Sequence, residues 1–204
     1  MRHACTVTAV GSNIQKVADL DARDDQAAAL ARRLTAWLAE RGILEASPTN
    51  CLLGGGLGYA PGPRAWDLIT DWDRPWGGGP WGNGVKVVTG RTVFHTMEVP
   101  LSAGCPGCAE SVVLTDQETW DITPAWDAFD RAVGTWLEGG SSTVPCPRCQ
   151  RPVPFNDWRW PDGGGWALGF LGLEFWDWPE LSHGFLREVS QFLGHRVLRN
   201  WGKF

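Results

Sequence analysis

Cys105-Pro106-Gly107-Cys108 and Cys146-Pro147-Arg148-Cys149 decide how this chain is to be read. Two thiolates three positions apart on a tight turn can grip one metal ion from one side. A second such pair closes a tetrahedral shell of four sulfurs, the geometry of a structural zinc site. Both pairs carry proline in second position and both follow plausible strands. The 37 residues between them exceed the ~15–20 of simpler four-cysteine sites, and a helix inserted between the two arms of a ribbon accounts for the excess. Zinc held by Cys105, Cys108, Cys146 and Cys149 is therefore the expected cofactor, structural because a closed shell leaves no position for water. Redox dithiols are the competing reading of a Cys-x-x-Cys pair.

Working outward, the intervening helix has Asp121 or Thr123 as N-cap and Pro124 just inside. It runs through Trp126, Phe129, Val133, Trp136 and Leu137 and stops at Gly139-Gly140. Before the first knuckle, Val85–Val88 and Arg91–His95 flank Thr89-Gly90 and read as a β-hairpin. A strand over Ala4–Val10 is expected near the start. A helix then opens at Asp24-Asp25, carries Leu30, Leu34, Trp37 and Leu38 at helical period, and ends at Gly42. After the second knuckle come a loop at 156–165, a strand over Trp166–Phe175, a helix over about Leu181–Leu193 stopped by Gly194, and a strand over Arg196–Asn200. The expectation is an α+β fold, a mixed sheet with helices and an inserted four-cysteine zinc-ribbon-like module. One domain should span residues 1–204, with the zinc-binding insertion at about 101–155.

Charge is unevenly spread. Residues 101–150 hold two basic and seven acidic side chains, whereas the rest of the chain balances, so the net charge of −5 sits on the metal segment. Four thiolates on a zinc ion add a further −2 there. Nucleic acid is held mainly by Lys and Arg neutralising phosphates, so a nucleic-acid partner is not expected. No stretch reaches the ~20 apolar residues of a membrane span. The start, Met1-Arg2-His3-Ala4-Cys5, lacks the apolar run of a signal peptide. A cytoplasmic protein is expected, with Cys5 and Cys51 as buried thiols rather than disulfide partners.

Fourteen tryptophans against one tyrosine are unusual. Residues 54–84 show neither helical nor strand period and read as a long loop. Three clusters share one flavour, with Trp72, Asp73, Arg74 and Trp76 in the first, Trp158, Arg159 and Trp160 in the second, and Trp176 and Trp178 in the third. Indole faces beside carboxylates and guanidinium groups suit a protein partner or a small ligand. Indoles stacked on prolines and glycines to pin loops to the body are the third possibility. His95 is a spare candidate ligand, and His183 with Glu188 or Asp177 a candidate acid–base pair. His183 and His195, in the first turn of one helix and just beyond its end, suit ordinary structural contacts equally well. No catalytic residues are nominated: the chain has neither a Gly-x-Ser-x-Gly elbow nor a His-Glu-x-x-His pattern.

Residues 105–149 resemble zinc-ribbon or rubredoxin-type knuckles. In such knuckles glycine often follows the second cysteine, where the backbone turns so that amides can donate to sulfur. Here Ala109 and Gln150 stand in those places. The wider set of Gly90–His95, the two knuckles and Phe175-Trp176-Asp177-Trp178-Pro179 resembles a family of uncharacterised bacterial proteins, some labelled sugar-transporter ATPases. Gly54–Gly58 continues into Tyr59-Ala60-Pro61 with no P-loop lysine, so ATP hydrolysis is not expected. The resulting expectation is a zinc-stabilised cytoplasmic interaction protein, one form of which neutralises a protein partner as an immunity protein does. The alternative is an enzyme or small-ligand binder using the Trp/Asp/Arg-rich loops.

Overall fold

The computed structural model of the chain describes residues 12–52, 54–70, 84–161 and 165–203. The expected strand over Ala4–Val10 and the cluster of Trp72, Asp73, Arg74 and Trp76 lie outside the described residues, as does Cys5. The elements run β1 (Asn13–Asp19), α1 (Asp24–Glu40), β2 (Val85–Phe94), β3 (Ser102–Gly104), β4 (Ser111–Val113), α2 (Trp126–Leu137), β5 (Thr143–Pro145), β6 (Pro152–Pro154), β7 (Ala167–Trp176), α3 (His183–Leu193) and β8 (Val197–Lys203).

Four strands form one sheet in the order β2-β7-β1-β8. The α+β class expected from the sequence is what the chain adopts. Neighbouring strands in this sheet are antiparallel. The parallel pairs, β1 with β2 and β7 with β8, each have one strand between them. With α1 and α3 as the two crossovers this is the split βαβ, or ferredoxin-like, connectivity, and the cysteine module occupies the β2–β7 connection. Leu34 and Leu38 of α1 and Phe185 and Val189 of α3 bury against Val17, Val85, Leu173 and Phe175 on one sheet face. On the other face Phe94 packs with Ala18 and Ala167.

The helix ends follow the glycines. Gly42 (φ 72°) lets its own amide and that of Ile43 reach back to the Ala39 and Leu38 carbonyls, and Gly194 (φ 72°) closes α3. Ser182 caps α3 through the Phe185 amide at 3.1 Å. The α2 start differs from expectation. Neither Asp121 nor Thr123 caps it through a side chain, because the Thr123 hydroxyl donates to the Val113 carbonyl instead.

The expected hairpin at Thr89-Gly90 is a correction. Both halves belong to one strand, β2, which pairs with β7 on either side of an irregularity between Thr89 and Thr92. Gly90 at φ 92° supplies a bulge rather than a chain reversal. The apolar run of β7 offers both halves a longer partner than they offer each other.

Central strand β1 was not visible in the sequence. Its Gln15 and Lys16 are polar yet buried, because each is consumed internally. Gln15 Nε2 donates to the Trp178 and Pro179 carbonyls, its Oε1 accepts from the Leu181 amide, and Lys16 Nζ donates to the His95 carbonyl. Burial pushes the Lys16 amine below its ordinary range, opposed by the charge of Glu174.

Phe94 lies so close over Gly172 that a side chain there has no room. A Cβ there would lie 2.4 Å from Phe94 Cε1 and 3.0 Å from the Val17 carbonyl oxygen, and Phe94 is fully buried. Gly172→Ala is expected to cost roughly 1–3 kcal/mol through overpacking, read as a lower Tm. An unchanged Tm would mean Phe94 can move aside.

Candidate metal centre

Two short hairpins, β3–β4 and β5–β6, present the knuckles at their tips. Each knuckle is closed locally. The Cys105 amide donates to the Glu110 carbonyl and the Ala109 amide to the Cys105 carbonyl; Cys146 with Arg151, and Gln150 with Cys146, repeat the pattern. The Gly107 amide points at Cys105 Sγ from 3.4 Å. Ala109 (φ 62°) and Gln150 (φ 60°) hold the left-handed conformation in which glycine is at ease. Ala109→Gly and Gln150→Gly are each expected to raise stability by about 0.5–1 kcal/mol, measurable as a higher Tm of the metal-loaded protein.

The four sulfurs lie within 4.8 Å of one another, and they form the one such group of His, Cys, Asp or Glu among the described residues. Cys105 and Cys149 sulfurs are 3.9 Å apart, as are those of Cys108 and Cys146. Those separations are far beyond the ~2.05 Å of a disulfide, and all four thiols are free. The arrangement could hold one metal ion. Burial opposes ionisation of Cys105, but the amides of Cys108 and Gly107 outweigh it and bring the thiol down to about 7. The Glu110 amide favours the Cys108 thiolate, yet burial and three neighbouring sulfurs push that thiol up to about 12. Four thiols this close cannot all ionise without a cation among them.

The sites expected elsewhere divide. Trp158 and Trp178 are core residues, each 3% exposed. Trp158 packs edge-on against Phe129 at 4.9 Å, and Trp160 lies 5.8 Å from the same ring. Trp178 meets Phe175 at 5.1 Å. Arg159 joins the ribbon through its backbone, exchanging two hydrogen bonds with Gly104, while its side chain is exposed. Trp176 is half-buried at the end of β7. For Trp158 and Trp178, pinning the fold is the role these contacts assign.

The histidines also separate. His95 lies outside the cysteine group, its ring against Trp166 and its Nδ1 on the Thr96 carbonyl. His183 is exposed. Of its expected partners, Glu188 pairs with Arg41 and Asp177 accepts the Asn13 amide. The pair that does form is His195 with Asp19, Nδ1 to Oδ2 at 2.8 Å, on a carboxylate that also accepts the Asp21 and Ala22 amides. Beside it Arg196 bridges Asp21 and Asp157, both at 2.7 Å, and holds the Asp21 carboxyl below the usual carboxylate range. These contacts tie the start of α1, the end of α3 and the cysteine module together. No local pattern could reveal a pair 176 positions apart. An open cavity of about 570 Å³ adjoins Arg196 where module meets sheet, lined also by Trp136, Ser142, Asn156 and Phe170. Asn156 is committed to the Leu20 and Leu168 backbone.

No helix among the described residues is long and apolar enough to cross a membrane. No family model, no curated protein and no solved structure matches this chain.

Proposed function

We propose that the metal is zinc and that the chain is a zinc-stabilised protein-binding module, in one form a protein that neutralises its partner. The observation that carries the first part is the sulfur spacing. Zinc–sulfur bonds of about 2.3 Å at tetrahedral angles put sulfurs about 3.8 Å apart, against 3.9 Å for two of the pairs here. Four thiolates without oxygen or imidazole select a soft or borderline cation. Such an ion, when bound, supplies folding energy rather than a reactive water.

The binding reading is supported by the chemistry that does not converge. The acids expected beside His183 are engaged by Arg41 and by the Asn13 amide, His95 lies outside the cysteine group, and the His195–Asp19 pair serves a structural junction. A small-ligand reading is favoured by the cavity beside Trp136 and Ser142, where two buried polar atoms, Trp136 Nε1 and Ser142 Oγ, have no protein partner. Native mass spectrometry of the chain purified from its own host under reducing conditions separates the two. One zinc with a stoichiometric protein supports the binding module; one zinc with a small molecule moves the function to the cavity.

A further inference from the structure

We propose that the β4–α2 loop of the cysteine module is the docking surface, and that its occupant is a basic protein carrying an apolar socket for Trp120. This inference rests on the protein-binding reading and names where and what the module would bind.

Trp120 is 68% exposed, and Ile122 (57%) and Val113 (55%) are exposed beside it in sequence or across the ladder. An isolated antiparallel bridge pairs Thr115 with Ile122, and the next residue, Thr123, donates its amide to the Leu114 carbonyl and its hydroxyl to the Val113 carbonyl, which brings the Ile122 and Val113 segments side by side. The loop carrying Trp120 is clamped. Asp116 Oδ1 accepts the Glu118 and Thr119 amides at 2.8 and 3.0 Å, its carbonyl accepts the Trp120 amide at 2.8 Å, and its own amide donates to the Asp121 carbonyl at 2.9 Å.

Inside this clamp Trp120 takes φ 61°, a conformation that costs a bulky side chain free energy. Ala109 and Gln150 take that conformation at the same place in the same kind of turn, each amide reaching four residues back as the Trp120 amide does, while Asp177 at φ 55° exchanges hydrogen bonds with Asn13. Trp120 buries little in return. The left-handed backbone closes the turn, as it does at Ala109 and Gln150, but the indole gains little packing within the fold, and an exposed indole on a hydrogen-bonded turn suits an anchor for a pocket elsewhere.

The acidic residues of the turn itself, Asp116, Glu118 and Asp121, set the partner's charge. From Ser111 to Asp130 the chain has five acidic side chains, Asp116, Glu118, Asp121, Asp127 and Asp130, and no Lys or Arg. An apolar knob within such a field attracts a cationic rim around an apolar socket and repels an acidic one.

The test passes host extract over immobilised zinc-loaded full chain, as wild type, Trp120→Gly, Glu118→Lys/Asp121→Lys and Trp201→Ala, with bound proteins identified and quantified by mass spectrometry. Trp201, 58% exposed on edge strand β8, is the control. The expected result is a basic protein retained equally by wild type and Trp201→Ala. Trp120→Gly should retain it about 30-fold less or weaker, and the charge-reversed variant should retain it less while losing salt sensitivity. The Tm of Trp120→Gly should rise, since the substitution removes strain and little packing. A partner retained equally by Trp120→Gly, or an acidic partner, overturns the surface and leaves the protein-binding reading standing. No partner on any column overturns both.

Discussion

Cys105→Ser or Cys146→Ser loses the bound metal and lowers Tm by about 10 °C or more. The two cysteines sit fully buried at the tips of hairpins only three residues per strand long. Hairpins of that length are not stable alone in water, so an ion held by all four cysteines would supply a link between them. Structural zinc in small modules contributes on the order of 10 kcal/mol to folding. Even the loss of about 4 kcal/mol in a chain of this size moves Tm by about 10 °C. Unfolding should begin in the module, where Trp126, Trp158 and Trp160 report it through near-ultraviolet dichroism before the sheet of β2, β7, β1 and β8 gives way. Chelation of the wild type should give the same spectrum. A serine variant with unchanged metal content and Tm would remove the four-sulfur site.

Trp158→Ala should cost about 3–5 kcal/mol, whereas an interface tryptophan would leave stability intact and weaken binding. Trp158 is 3% exposed within a cluster of Phe129, Phe155, Trp126, Val144 and Val153, directly beneath the ribbon that presents the cysteines. Removing its ring leaves a cavity that short hairpins and one helix cannot collapse into without disturbing the knuckles. Metal affinity should therefore fall together with Tm. Thermal melting with and without added zinc checks both, and Trp158→Phe should recover most of the loss. A stable Trp158→Ala protein would mean that the aromatic cluster is dispensable.

These two effects follow from what the sequence made legible and what it hid. The knuckles were legible because metal grip is local chemistry, fixed by a spacing of three residues. Helices α1, α2 and α3 were legible because leucine and aromatic residues recur at helical period and glycines close their ends. Strand β1 was hidden because a central strand can carry Gln15, Lys16 and Asp19 when distant backbone and side-chain groups satisfy them. The bulge at Gly90 was hidden because a glycine at positive φ serves a hairpin and a bulge equally well, and only the β7 partner decides. Tryptophan burial was hidden for a similar reason. Trp158 sits among charged and proline residues that suggested a surface, and Phe129, 29 positions away, makes it core. Trp120 stood outside every cluster, yet it is the most exposed of the described large hydrophobics.

A metal ion joining the two knuckles is expected to be visible in native mass spectrometry of the freshly reduced full chain. The predicted spectrum has one zinc per chain in a compact charge-state envelope, with the metal absent from Cys149→Ser. A compact chain without metal, or one whose mass has fallen by the hydrogens lost to disulfides among these cysteines, would contradict the account.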